Sequence, residues 1–157
     1  VNVCMVTLSK AFGSQGGFVC GSKPLIQWAV NRARSFIYST ALAPAAVGAA
    51  AAALQIVQTE PERRERLFNL SARLWSGLGL EGEGPIVPFI VGDNSQTLSL
   101  SAALWEEGIF APPVRFPTVP KGKARIRFSV TAAHHPSDID HVLQVVGRWR
   151  EKTKVSL

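Results

Sequence analysis

The chain has 157 residues, 46% of them hydrophobic and 18% charged, a composition that excludes a disordered tail and supplies ample material for a packed core. The formal net charge is +6, but the basic residues are scattered along the chain rather than gathered into one aromatic-laced patch, which argues against nucleic-acid binding. The densest run, Arg63-Arg64-Glu65-Arg66, lies beside Glu60 and Glu62 and reads as a solvated helix face.

The chain opens on Val1-Asn2-Val3-Cys4-Met5-Val6, and residues 1–8 read as a strand. A strand needs partners, and this one starts without a cap, a charged leader or an initiator methionine, so the chain is expected to be a fragment. Residues 9–17 are small, polar and glycine-rich, and Phe18-Val19-Cys20-Gly21 is a short strand. Cys4 and Cys20 lack metal-knuckle spacing and sit in apolar runs, so buried thiols in a reducing compartment are expected. Pro24 opens a helix to about Ala33 with Leu25, Trp28 and Ala29 on one face. Phe36-Ile37-Tyr38 reads as extended. Pro44 opens an alanine-rich helix to about Gln58. The stretch Ala41–Val57 lacks the strongly hydrophobic residues of a membrane span and reads as a buried helix, so a cytoplasmic protein with no membrane partner is expected.

Thr59 and Glu62 have capping-box spacing, and the helix that follows carries Leu67, Leu70, Leu74 and Leu78 on one stripe. Gly77, Gly79, Gly82 and Gly84 with Pro85 form a break, which divides the chain into 1–80 and 81–157. Ile86–Val91 is a strand, and Asn94 is placed to cap a helix that Gly108 ends. Residues 111–123, with four prolines, read as a loop. In the strand Ala124–Val130, Ile126, Phe128 and Val130 face one way and Arg125, Arg127 and Ser129 the other. Ser137 and Asp140 are placed to cap a last helix with Ile139, Val142, Leu143, Val146 and Trp149 inside. The order from the break onward predicts a small α+β unit whose sheet is covered on one face.

The segment Thr7-Leu8-Ser9-Lys10-Ala11-Phe12-Gly13-Ser14-Gln15-Gly16-Gly17 carries the chemistry. A lysine at the end of a buried strand loses its charge by desolvation and becomes a nucleophilic amine. Hydroxyls and glycine amides beside it hold an anion. Together these are what an aldehyde cofactor with a phosphate needs. The spacing matches neither common nucleotide-binding glycine loop. A glycine-rich turn with an exposed lysine satisfies the same composition.

This segment resembles the cofactor-lysine motif of the α-oxoamine synthases, which are fold-type-I pyridoxal-phosphate enzymes. Further likenesses follow in the same order: Arg34-Ser35-Phe36-Ile37-Tyr38-Ser39-Thr40-Ala41-Leu42 with Pro44, then Pro117-Thr118-Val119-Pro120, Gly122, Ala124-Arg125-Ile126-Arg127 and Thr131-Ala132-Ala133-His134. The resemblance covers essentially the whole chain. It implies an α/β fold, namely the C-terminal part of a fold-type-I transferase: the end of the large cofactor domain in 1–80 and a small α+β domain in 81–157. Phe36 to Leu42 and Gly92-Asp93-Asn94 lean toward the branch that serves biotin synthesis, while Arg125-Ile126-Arg127 and Ala132-Ala133-His134 are shared with the branch that acetylates glycine.

By this resemblance Lys10 is the lysine that holds pyridoxal 5'-phosphate and then removes the substrate α-proton. Thr7 contacts the cofactor phosphate, and Ser39 and Thr40 reach a phosphate across a homodimer interface, or else cap the helix at Pro44. Arg127 grips the substrate carboxylate, with Arg125 on the same face able to substitute. His134 anchors its loop. The implied activity joins an amino acid to an acyl-CoA with loss of CO2 and CoA. The family's ring-stacking histidine and ring-nitrogen aspartate lie upstream of the lysine, so the chain holds half a site and is expected to be inactive alone. A truncated interaction domain that binds no cofactor is the non-enzymatic alternative.

Overall fold

The computed structural model describes residues 2–153; Val1, at the head of the expected first strand, and Lys154, in the basic C-terminal run, lie outside the described residues. The chain divides into two compact units, Val1–Pro61 and Glu62–Leu157, ahead of the division at residue 80 drawn from the glycine break.

The first unit opens with an antiparallel hairpin, β1 (Val3–Thr7) and β2 (Gly17–Gly21), in the register Thr7↔Gly17, Val6↔Phe18, Met5↔Val19, Cys4↔Cys20. Three helices follow: α1 (Lys23–Arg32), α2 (Arg34–Ile37) and α3 (Pro44–Thr59). Proline stands in the first turn of both α1 and α3, where its missing N–H leaves no intrahelical bond unmade.

Several expectations need correction in this unit. Phe36-Ile37-Tyr38 is not extended. The N–H groups of Phe36 and Ile37 donate to Ala33 O and that of Tyr38 to Arg34 O, closing a helical turn, and none of the described strands pairs with it. Trp28 is 64% exposed, and the half-buried face of α1 is Leu25, Ile26 and Ala29. α3 is helical as expected but buries none of its side chains; only the stripe Ala46, Ala50, Ala53, Val57 is half-buried. Cys4 and Cys20 are exposed rather than buried, and β1 has no buried residue. The three burial corrections share one reason: a two-stranded sheet and the helices beside it bury a face only when another layer covers it. Thr59 does not open a capping box either, since it is the last residue of α3 and its hydroxyl donates to Gln55 O.

The second unit holds α4 (Pro61–Gly77), β3 (Ile86–Gly92), α5 (Asn94–Glu106), β4 (Pro113–Val114), β5 (Ala124–Ser129) and α6 (Pro136–Thr153). Its strands form an antiparallel sheet in the order β3-β5-β4. Val87, Phe89 and Val91 of β3 and Ile126 and Phe128 of β5 form one buried face with Leu70, Leu74 and Leu78 from the α4 end, Leu100 and Leu104 from α5, and Ile139, Val146 and Trp149 from α6. The opposite face carries exposed Ile86, Ile90, Arg127 and Ser129. The one-sided sheet and the alternation of β5 agree with the sequence pattern.

Local details differ. Asp93, not Asn94, caps α5, accepting from the N–H groups of Ser95 and Gln96. Ahead of α6 the His135 N–H donates to the Asp138 carboxylate, so Asp138 closes this end, while Asp140 instead pairs with Arg73. The proline-rich 111–123 segment is not all loop. Pro113 and Val114 pair with Ile126 and Arg125 as an edge strand, where proline can point its donor-less nitrogen away from the ladder. Gly82 adopts φ 155°, and a Cβ there would lie 2.5 Å from the Trp75 ring, so the break needs glycine at this point.

Candidate active site

Lys10 stands in the loop joining β1 to β2. The loop is closed at its base by Leu8 N–H to Gly16 O and Ser14 N–H to Leu8 O, both 2.9 Å. A tight turn at its head is made by Gly13 N–H to Lys10 O, also 2.9 Å. Gly13 takes φ 57°, which completes the turn without a Cβ penalty. Leu8 is buried beneath the loop, while Lys10 and its neighbours Ser9 and Ala11 are exposed. The lysine is therefore held by a defined turn but stays hydrated, and the expectation of an amine stripped of water by a buried strand is not met by this chain alone. Lys10 is exposed and β1 holds no buried residue, so none of the described residues displaces solvent from the ammonium group.

The hydroxyls expected beside it are present. Thr7 Oγ1 and Ser9 Oγ lie 2.9 Å apart and hydrogen-bonded, just before the lysine. The segment after α2 comes up against the same loop. Ser14 Oγ donates to Ala46 O at 2.6 Å, and a Cβ on Gly16, whose φ is 97°, would lie 2.6 Å from Leu42 Cδ1. Ser39 and Thr40 belong to this approaching segment and are exposed. The Ser39 hydroxyl donates to Ser35 O, and Ala43, not either of them, occupies the cap position before Pro44. Ser14 and Leu42 were not singled out by the sequence, because nothing in their spacing signals that one loop rests on the other segment.

Arg127 lies in the second unit on β5, the central strand of its sheet rather than an edge, opposite Pro88. It is exposed, and no described residue hydrogen-bonds its guanidinium. Arg125, two residues earlier on the same face, is half-buried and its Nε donates to Lys123 O at 3.0 Å. Of the two, Arg127 is the one whose planar donor fork is open to a carboxylate. His134 Nδ1 accepts from Thr131 N–H at 3.1 Å, and its carbonyl accepts from Arg66, so the imidazole ties its loop together. Among the described residues no cluster of three or more His, Cys, Asp or Glu could hold a metal ion, and no helix is long and apolar enough to cross a membrane.

The family model for aminotransferases of class I and II matches residues 1–146, and the chain belongs to that family. It has the fold of fold-type-I pyridoxal-phosphate transferases, as expected. It is similar to the 8-amino-7-oxononanoate synthase of Treponema denticola, 44% identical over 92% of this chain and 38% of that protein. Among solved structures it superposes on a Sphingomonas wittichii serine palmitoyltransferase with a TM-score of 0.91, at 26% identity, over 100% of this chain and 41% of that one. It superposes on the 8-amino-7-oxononanoate synthase of Francisella tularensis with a TM-score of 0.84, at 25% identity, over 98% of this chain and 47% of that one. The chain thus spans about two-fifths of the length of the curated relative it matches.

Proposed function

We propose that the protein carrying this chain is a pyridoxal-phosphate-dependent C-acyltransferase. It joins L-alanine to pimeloyl-CoA with loss of CoA and CO2, giving 8-amino-7-oxononanoate. The observation that carries the reading is the hairpin loop that presents Lys10 beside the Thr7–Ser9 hydroxyl pair, in a chain 44% identical to a synthase of that name. The residues fit the cofactor: a primary amine at a fixed turn, two hydroxyls next to it and a glycine-rich backbone suited to a phosphate. When bound, the cofactor supplies an aldehyde for the amine and an electron sink for the carbon that loses its proton.

The chain's own residues then divide the work. Lys10 Nζ holds the cofactor and afterwards takes the proton from the amino-acid α-carbon. Thr7 donates to the phosphate, and Thr40 and Ser39, once its hydroxyl turns away from Ser35 O, do so across the interface of a cytoplasmic homodimer. Arg127 binds the amino-acid carboxylate through two parallel N–H bonds, held rigid by its central strand. Removal of water from Lys10 falls to the part of the fold that this chain, at 38% of its relative's length, does not span. The first unit closes the large domain, and the second is the small one.

The closer superposition on serine palmitoyltransferase, 0.91 against 0.84, favours a second reading with a longer acyl group. The test has two parts. Pyridoxal phosphate is added to the protein and fixed with borohydride, with the labelled lysine read by peptide mass. CoA release is then followed with pimeloyl-, acetyl- and palmitoyl-CoA. Label on Lys10, lost in Lys10→Ala, and turnover with pimeloyl-CoA are expected. Label on another lysine refutes the cofactor assignment, and preference for palmitoyl- or acetyl-CoA refutes the product.

A further inference from the structure

Arg127 stands on the central strand of its sheet, so it has a cross-strand neighbour on either side. On the β3 side the neighbour is Pro88, directly opposite. On the β4 side the Arg127 N–H donates to Pro112 O at 3.2 Å, one step along the register from Pro113↔Ile126. Both neighbours are proline, a residue normally kept out of ladders because it has no N–H to give. Since Arg127 turns its N–H toward β4, Pro88↔Arg127 is the non-hydrogen-bonded kind of antiparallel pair, and proline there costs the β3–β5 ladder nothing. Such a pair has its Cα atoms about 4.5 Å apart and its two side chains close together on one face of the sheet. The proline ring is closed onto its own backbone, so it has no rotamer freedom to lose. It is also short. It rises from the sheet only as far as the first methylenes of an arginine, so it meets the Arg127 stem and stays clear of whatever the guanidinium binds.

We propose that Pro88 is a positioning residue for the carboxylate grip: its ring stands against the methylenes of Arg127 and narrows the range of the guanidinium before the amino acid arrives. A free arginine side chain samples many rotamers, and a grip by two parallel N–H bonds must immobilise it. A rigid neighbour restricts the stem in the unliganded protein, so less freedom is lost on binding. This role rests on the carboxylate grip assigned to Arg127, and on strand register rather than on how open either side chain is.

The test uses the complete protein that carries this chain. Pro88→Ala removes two ring carbons and frees the stem. Calorimetric titration with L-alanine should show affinity about three- to tenfold weaker, the loss expected when one more flexible side chain must be ordered on binding. In turnover KM for the amino acid should rise by the same factor while kcat holds. Pro88→Val puts stiff branched carbons back beside the stem and should recover affinity to within about twofold of wild type. Either variant gains its N–H on the side of β3 away from β5, so no ladder bond is disturbed. In an Arg127→Ala background, Pro88→Ala should weaken binding no further. Normal affinity in Pro88→Ala, an equal loss in Pro88→Val, a fall in kcat, or the same loss with Arg127 already removed overturns the proposal. If Arg127→Ala itself leaves affinity unchanged, the carboxylate grip fails and the role of Pro88 falls with it. If Arg127→Ala weakens binding and Pro88→Ala does not, only the role of Pro88 fails.

Discussion

Leu100 and Leu98 lie on the same helix, α5, and differ in burial: Leu100 is 0% exposed and Leu98 43%. α5 packs against the sheet whose central strand holds Arg127, so this contact also steadies the proposed carboxylate grip. Leu100→Ala removes three buried carbons, worth about 2.4 kcal/mol at roughly 0.8 kcal/mol each. The space left in a packed core adds to this, for an expected loss of about 3–4 kcal/mol. Leu98→Ala makes the same change of side chain, hence of helix propensity, at a position where much of the leucine is already in water, and should cost about 1 kcal/mol or less. Urea unfolding followed by circular dichroism and by the fluorescence of buried Trp149 gives both values from the midpoint and slope. A gap of at least about 2 kcal/mol between the two variants is expected from these terms. Equal losses would show that α5 does not sit on the sheet as described.

Arg127→Ala should weaken amino-acid binding by about one to two orders of magnitude, the loss expected of a charge-assisted pair, while Arg125→Ala, whose guanidinium is already bonded to Lys123 O, should have the smaller effect. Calorimetric titration of the amino acid decides, and the reverse order would move the carboxylate to Arg125. Gly16→Ala places a methyl against Leu42 at a φ of 97°, and should lower hydrogen-exchange protection of the Leu8 amide by about tenfold, from the roughly 1–2 kcal/mol that a left-handed non-glycine residue costs. Adding Leu42→Ala relieves the contact but not the backbone, so only partial recovery is expected; unchanged protection in Gly16→Ala would refute the packing of the loop. The Asp93 carboxyl is held below its ordinary value, chiefly by the Ser95 hydroxyl and then by the Gln96 N–H. A depressed pKa stabilises the fold above the unfolded value, and this stabilisation is lost as pH falls through the lowered folded value. The stability difference between wild type and Asp93→Asn should therefore be fully present at neutral pH and vanish in acid, and a difference that grows in acid would contradict the cap.

The second unit was legible in the sequence because its elements bury one face against one another. β5 alternates, α4 carries leucines every three or four residues, and the periodicity of α6 places Ile139, Val146 and Trp149 inside. What escaped is finer than a period can decide. Asp93 and Asn94 are both capping residue types one position apart, and the structure selects Asp93. In the first unit the sequence marks the hairpin, α1 and α3 but not what they bury. Phe36-Ile37-Tyr38 carries strand-forming residues, but none of the described strands pairs with it. Cys4 and Cys20 looked unrelated because a pairing register depends on where the turn falls, and that was not drawn from the glycines alone.

The same distinction explains why the candidate site was half legible. Lys10, Thr7 and the glycines are a local pattern, and the loop that holds them forms from local hydrogen bonds. The chemistry of the lysine is not local. An ammonium group in water keeps its proton and attacks nothing, and it becomes a base only when a second layer displaces that water. Met5, 73% exposed, together with Trp28 and the uncovered sides of α3, shows that the unit bearing Lys10 presents apolar surface of the kind a further layer of protein covers. A layer that covers both would bury those side chains and desolvate Lys10 together, so the reactivity of Lys10 toward an aldehyde should rise with whatever addition of chain buries Trp28. Its fluorescence and the rate of borohydride-trapped labelling at Lys10 should change together, and labelling that is equally fast with Trp28 exposed would break that link.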